Sequence, residues 1–156
     1  MPGGRKLDIG AGCKKESWVT CDIRPGCDHI CSATEVHTLG KFDEILMNMV
    51  LEHLRPWEIP IALDSCYAAL NEGGFLDVSV PDFDDIVRLS VSNNREAMRR
   101  LFGGSLIEGG PDDCYEQEHR WGFTDESLSL LLKNTGFKEV TNMNAPKGIL
   151  WIRGYK

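Results

Sequence analysis

Two carboxylates flank a glycine turn near the start of the chain, and their spacing sets the first chemical question. Lys6-Leu7-Asp8-Ile9-Gly10-Ala11-Gly12 reads as a strand that carries an acid and then turns on glycine, and Trp18-Val19-Thr20-Cys21-Asp22-Ile23 reads as a second strand ending on another acid. Glycine suits such a turn because the backbone must bend sharply and let a ligand approach where a Cβ would obstruct it. A nicotinamide fingerprint would need a third glycine where Lys15 stands, and a ribose acid about 20 residues on. Asp22 instead comes ten residues past Gly12. A phosphate-cradling loop fails too, because no Gly-Lys-Ser/Thr follows the glycines. What fits is a nucleoside with a cationic or neutral tail. Asp22 can accept both ribose hydroxyls on its two oxygens, and Asp8 can meet an ammonium group beside the turn.

Six cysteines (Cys13, Cys21, Cys27, Cys31, Cys66, Cys114) raise metal and disulfide readings. Cys27, His29 and Cys31 alternate within a short stretch, but zinc sites pair such ligands with a second knuckle that is absent here. Neighbours on a strand also point to opposite faces. No metal site is expected, and buried free thiols are the default. A cysteine-based metal or redox protein is the weakest alternative.

Elements must position these groups. The chain has 156 residues, the length of one domain, with 42% apolar and 26% charged residues, a globular composition. Seventeen basic residues against 24 acidic ones give a net charge of −7, which argues against general nucleic-acid binding, since phosphates need positive charge. No apolar run reaches the ~20 residues of a membrane span and no leader is visible at Met1, so a cytoplasmic protein is expected. Short apolar runs at Arg5–Ile9, Trp18–Ile23, His29–Cys31, Phe42–Asn48, Phe75–Val80, Phe137–Met143 and Gly148–Tyr155 read as strands, and amphipathic segments alternate with them in an α/β pattern. Ile59, Leu63, Cys66, Tyr67 and Leu70 form one helical stripe, entered at Pro56 and Pro60 and ended by Gly73-Gly74. Thr124 should cap a last helix that has Asp125 and Glu126 in its first turn, Lys133 near its end, and Gly136 as its stop. The eight residues Gly10 to Ser17 leave room for one or two helical turns in the first crossover. Asp77, inside an otherwise apolar strand, needs either a polar partner or an exposed stretch.

Five blocks in register then resemble a known family. Leu7-Asp8-Ile9-Gly10-Ala11-Gly12, Trp18 to Ile23, Phe42-Asp43-Glu44-Ile45, Val50-Leu51-Glu52-His53-Leu54 and Leu70 to Leu76 follow the order and spacing of class I S-adenosylmethionine-dependent methyltransferases, and His119-Arg120-Trp121-Gly122-Phe123-Thr124 looks like a segment of the type-11-like branch with a shortened first crossover. The resemblance implies an α/β, Rossmann-like, mostly parallel seven-stranded sheet with helices on both faces and an antiparallel last strand. It implies one domain over residues 1–156 and S-adenosylmethionine as cofactor. Gly10, Ala11 and Gly12 would line its methionine side with Asp8 below. Asp22 and Ile23 would take the ribose and one adenine face, Ser32 (Asp in many relatives) the adenine edge, and Asn48 and Met49 the sulfonium. The activity implied is methyl transfer to a small-molecule or glycan-type acceptor, with a catalytically silent binding module as the alternative. Residues 82–123 are too long for a plain connection and are expected to form a lid on the acceptor side. Arg95, Arg99 and Arg100 in that segment would suit an anionic acceptor. A base for the acceptor proton would come from His119, His53 or Asp82; each of these also has an ordinary structural role available.

Overall fold

Strands with every second side chain apolar build one sheet in the computed structural model, which describes residues 4–103 and 118–156. The strands are β1 (Lys6–Ile9), β2 (Val19–Asp22), β3 (His29–Ile30), β4 (Phe42–Asn48), β5 (Leu70–Pro81), β6 (Glu139–Asn142) and β7 (Ile149–Tyr155). The helices are α1 (Glu58–Ala69), α2 (Phe83–Ser92), α3 (Asn94–Phe102) and α4 (Asp125–Thr135), with 3-10 turns at Ala33–Leu39 and Leu51–His53. Spatial order is β3-β2-β1-β4-β5-β7-β6. Strands β1 to β5 pair in parallel, and β7 lies antiparallel between β5 and β6. This is the expected Rossmann-like sheet. Its order reverses between β1 and β4, and in open α/β sheets that reversal opens a crevice at the carboxyl ends of the strands.

Period two decides where the core sits. Leu7, Ile9, Ile45, Met47, Leu76, Val78, Val80, Leu150 and Ile152 are buried in one cluster with Val36 of the first 3-10 turn, Ile59 and Leu63 of α1, and Leu128 and Leu132 of α4. Intervening positions carry charge and pair across strands, as in Lys6–Glu44 at 2.7 Å. Asp77 belongs to this second set. Its carboxylate, 4% exposed, receives Arg153 of β7 in a two-pronged contact at 2.8 and 2.7 Å. A polar partner, not an exposed stretch, explains the acid inside β5.

Local chemistry sets most boundaries. In α4 the Thr124 hydroxyl accepts from Ser127 N at 3.2 Å and the Ser127 hydroxyl accepts from Thr124 N at 3.0 Å, while Gly136 stops the helix in the left-handed region at φ 116°. These are the expected cap and stop.

Two expectations fail. No helix forms in the first crossover: the chain turns, and Gly10 N and Ala11 N donate to Cys21 O at 2.8 and 3.3 Å, tying the turn directly to β2. Eight residues must reverse direction twice, which leaves no length for a helix. Gly73-Gly74 do not end α1, which stops at Ala69, so β5 starts at Leu70. Lys156 Nζ satisfies carbonyls there, donating to Tyr67 O at 2.9 Å and Leu70 O at 3.0 Å. The 3-10 turn at Ala33–Leu39 leaves no helical stripe in the sequence, because only Ala33 and Val36 are buried in it.

Candidate active site

The carboxyl ends of β1, β2 and β4 surround a cavity of about 390 Å³ lined by Ile9, Gly10, Asp22, Ile23, Cys31, Ser32, Ala33, Met49, Val50, His53, Leu54 and Arg120 among others. Gly10 holds φ 71°, and a Cβ on it would strike Val50 Cγ2. Only glycine lets the backbone pass there. Asp22, 6% exposed, accepts from Gly12 N at 3.1 Å and Arg24 N at 2.9 Å, one on each oxygen. A carboxylate has about four acceptor sites, so each oxygen has room for a ligand hydroxyl, with the Arg24 guanidinium 3.7 Å from Oδ1. Ile23 lies beside it with 57% of its surface exposed, an apolar wall at the rim.

A second cavity of about 540 Å³ adjoins the first and is lined by Met49, Glu52, His53, Pro81, Arg99, Arg100, Gly103, His119, Lys147, Gly148 and Ile149. Met49 and His53 line both. Met49 sits in the left-handed region at φ 53°, uncommon without glycine, and its N–H donates to Ser79 O at 2.9 Å. That bond ties the junction of the cavities to β5.

Sequence-distant groups converge on this junction through backbone bonds. Glu52 O accepts from Arg120 N at 2.7 Å and Trp121 N at 3.3 Å, which lays the 118–121 segment along the Leu51–His53 turn. The His53 and His119 rings then meet edge to face at 5.0 Å. His53 Nδ1 lies 3.1 Å from Glu118 O and His119 Nδ1 lies 2.7 Å from Arg100 O. Carbonyl oxygens only accept, so both Nδ1 atoms carry the proton and both Nε2 atoms are left with a lone pair. Burial lowers both imidazoles from their ordinary pKa, which keeps the rings neutral. Glu52 beside them is 1% exposed. Among the described residues neither of its carboxylate oxygens has a hydrogen-bond partner, and burial pushes the carboxyl up to about 7.

The expected residues divide as follows. Gly10, Asp22, Ile23, Ser32 and Met49 line the first cavity, while Asp8, Ala11, Gly12 and Asn48 are not among its lining residues. Asp8, 8% exposed, accepts from Lys15 Nζ at 3.2 Å, and the Asn48 side chain accepts from the Ser79 hydroxyl. Ser32 caps the first 3-10 turn, accepting from Thr34 N at 3.3 Å. His53 and His119 come together, but Asp82 does not join them: its Oδ1 caps α2, accepting from Asp84 N at 3.0 Å and Asp85 N at 3.4 Å. Of the arginine cluster, Arg99 and Arg100 line the second cavity and both pair with Glu96 at 2.8 Å, whereas Arg95 is exposed on α3. Their hydrogen bonds hold the Glu96 carboxyl down at about 2. Residues 104–117 of the expected lid, Cys114 included, lie outside the described residues. Of the expected buried thiols, Cys21 and Cys66 are buried, with Cys21 raised to about 12 by burial, whereas Cys13 is exposed and Cys27 and Cys31 are half-buried.

Glu52 and Lys147 were missed. An acid within the apolar run Val50-Leu51-Glu52-His53-Leu54 is the signal that could have drawn attention to Glu52; nothing local marks Lys147.

A family described as a methyltransferase domain matches residues 3–142. The chain belongs to that family, is a class I S-adenosylmethionine-dependent methyltransferase, and uses S-adenosylmethionine as its cofactor. It is similar in structure to an S-adenosylmethionine-dependent methyltransferase from Thermotoga maritima (TM-score 0.63, 18% identity, 99% of this chain and 83% of that one). It is also similar to an O-methyltransferase family protein from Burkholderia thailandensis (TM-score 0.65, 11% identity, 98% and 51%). A third similar structure is the 1,6-didemethyltoxoflavin-N1-methyltransferase of the same organism, with bound 1,6-didemethyltoxoflavin and S-adenosylhomocysteine (TM-score 0.57, 16% identity, 98% and 72%). The chain spans about half the length of the O-methyltransferase family protein. No curated protein matches the sequence. Among the described residues no helix is long and apolar enough to cross a membrane.

The first cavity fits the cofactor on its own chemistry. The cradle at Gly10 admits a close backbone approach, Asp22 keeps two acceptor sites for a pair of hydroxyls, and apolar walls suit a base.

Proposed function

We propose that the first cavity holds S-adenosylmethionine and the second its acceptor, a small-molecule or glycan-type compound with an anionic group. Both sit in one domain over residues 1–156 whose 82–123 segment shapes the acceptor side. The observation that carries this reading is the shared wall: Met49 and His53 line both cavities, so the reacting end of one ligand meets the reacting end of the other. The toxoflavin-type neighbour, whose acceptor is a small molecule, supports the size of acceptor.

Bound there, the cofactor supplies an electrophilic methyl group, and the chain's own residues orient it. The Gly10–Gly12 turn follows the methionine portion, with Ala11 between the glycines. Asp8 attracts the amino group in place of Lys15, now 3.2 Å away. Asp22 takes the ribose hydroxyls, Ile23 covers one adenine face, and the Ser32 hydroxyl meets its edge. Asn48 and Met49 flank the sulfonium. Alignment of the two partners removes several kcal/mol from the barrier to transfer. The Nε2 lone pairs of His53 and His119 stand on the acceptor side, where the incoming hydroxyl or amine sheds its proton. Asp82 caps α2 and takes no part.

Arg99, Arg100 and Lys147 on the second cavity favour an acceptor with phosphate or carboxylate groups. Matched neutral and anionic acceptors, assayed by S-adenosylhomocysteine production, test this. Turnover of the anionic set is expected, with Lys147→Met raising its KM about tenfold and leaving the cofactor KM unchanged. Preference for neutral acceptors, with no effect of Lys147→Met, would overturn the anionic assignment.

A further inference from the structure

Glu52 is an anomaly in a folded protein. Buried carboxylates are normally paired, because removing a charge from water costs several kcal/mol, yet this one is 1% exposed with no hydrogen bond to either oxygen among the described residues. Beside it stand two imidazoles whose Nδ1 protons are engaged by backbone carbonyls, leaving both Nε2 lone pairs uncommitted to protons. Ligand atoms of Glu52, His53 and His119 all lie within 4.8 Å of one another, the only such group of three among the described residues. Nδ1–H donation to a carbonyl is how metal-binding histidines are oriented through their outer partners.

We propose that Glu52, His53 and His119 bind a divalent first-row metal ion at the junction of the two cavities, with the remaining coordination positions open to water or to an oxygen of the acceptor. The inference deepens the acceptor-site reading above, on which it rests for the identity of the oxygen. Two neutral imidazoles and one carboxylate form a mixed N/O set: the imidazoles suit Fe, Ni and Zn, and the carboxylate with its open water positions also admits Mn2+. Bonds of about 2.1 Å place ligand atoms about 3 to 3.5 Å apart, so side-chain rotations of about an ångström close the set. The cation would hold the Glu52 carboxylate, 3.9 Å from His53 Nε2, in its ionised form. It would also favour an acceptor that offers a hydroxyl, since a bound cation lowers the pKa of an oxygen it holds; with the metal on both Nε2 atoms, that acidified oxygen would lose its proton to water and not to the imidazoles. This site shares nothing with Cys27, His29 and Cys31, the segment whose spacing first suggested a metal.

The test is titration of chelator-treated protein with Mn2+ alone, read by loss of the free-ion electron paramagnetic resonance signal. S-adenosylhomocysteine affinity is measured in parallel on the same samples. One Mn2+ per chain is expected. Glu52→Gln and, independently, His119→Ala should weaken it at least about tenfold while leaving S-adenosylhomocysteine binding intact, which also shows that each variant is folded. Absence of stoichiometric Mn2+ binding, or binding at full strength in both variants, overturns the site. Loss of S-adenosylhomocysteine binding in the wild-type protein with Mn2+ binding retained would instead overturn the cofactor-cavity reading and leave the metal site standing.

Discussion

Replacing Asp22 with alanine should weaken S-adenosylmethionine and S-adenosylhomocysteine binding by about 100-fold or more, with the fold retained. The carboxylate is buried at the end of β2, and each oxygen already accepts one backbone N–H, from Gly12 at 3.1 Å and from Arg24 at 2.9 Å. These bonds fix its orientation and leave a second acceptor site on each oxygen for the two ribose hydroxyls. Hydrogen bonds to a charged group contribute about 1.5–3 kcal/mol each, so losing the pair accounts for the expected effect. Alanine also frees Gly12 N, loosening the turn that carries the methionine portion. Calorimetric titration measures the change, and a thermal melt shows whether the fold survives. Asp22→Asn keeps one acceptor and should fall between the two. An alanine variant that binds within threefold of wild type would remove Asp22 from the site.

The second large effect concerns stability. Arg153→Met should destabilise the protein by about 3 kcal/mol, the lower end for breaking a buried ion pair, because Arg153 keeps partial contact with water. The loss arises from Asp77, left charged and buried inside β5 with both of its guanidinium contacts removed. Arg153 also lies over the Phe75 ring at 4.0 Å, so methionine keeps part of the packing but none of the charge. In a chain of this size a loss of 3 kcal/mol lowers the melting temperature by roughly 10 °C. Asp77→Leu combined with Arg153→Met should recover most of it, since an apolar pair needs no counter-charge. Denaturant melts of the two variants check both statements, and equal stability of the single and double variants would contradict the pairing.

The sheet was legible because period-two apolar runs have few alternative folds, and the cap at Thr124 and stop at Gly136 were legible because each is a local interaction within a few residues. The glycine turn and Asp22 could be read for the same reason. Features built by long-range contacts could not. Asp77 was visibly out of place, but its partner is 76 residues away on an antiparallel neighbour. His53 and His119 were each singled out, yet only the backbone bonds from Arg120 and Trp121 to Glu52 bring them into ring contact. Glu52 escaped because an acid flanking a buried turn ordinarily faces water. The expected helix in the first crossover failed on length, a constraint that spacing alone states but propensity obscures.

The most direct test of the two-cavity account is a crystal structure of the complex with S-adenosylhomocysteine. The account predicts the ribose hydroxyls on Asp22, the adenine between Ile23 and Ser32, and the sulfur at the Met49–His53 junction, facing the cavity that holds Glu52, His119 and Lys147. A nucleoside bound elsewhere, or a sulfur directed away from that junction, would contradict it.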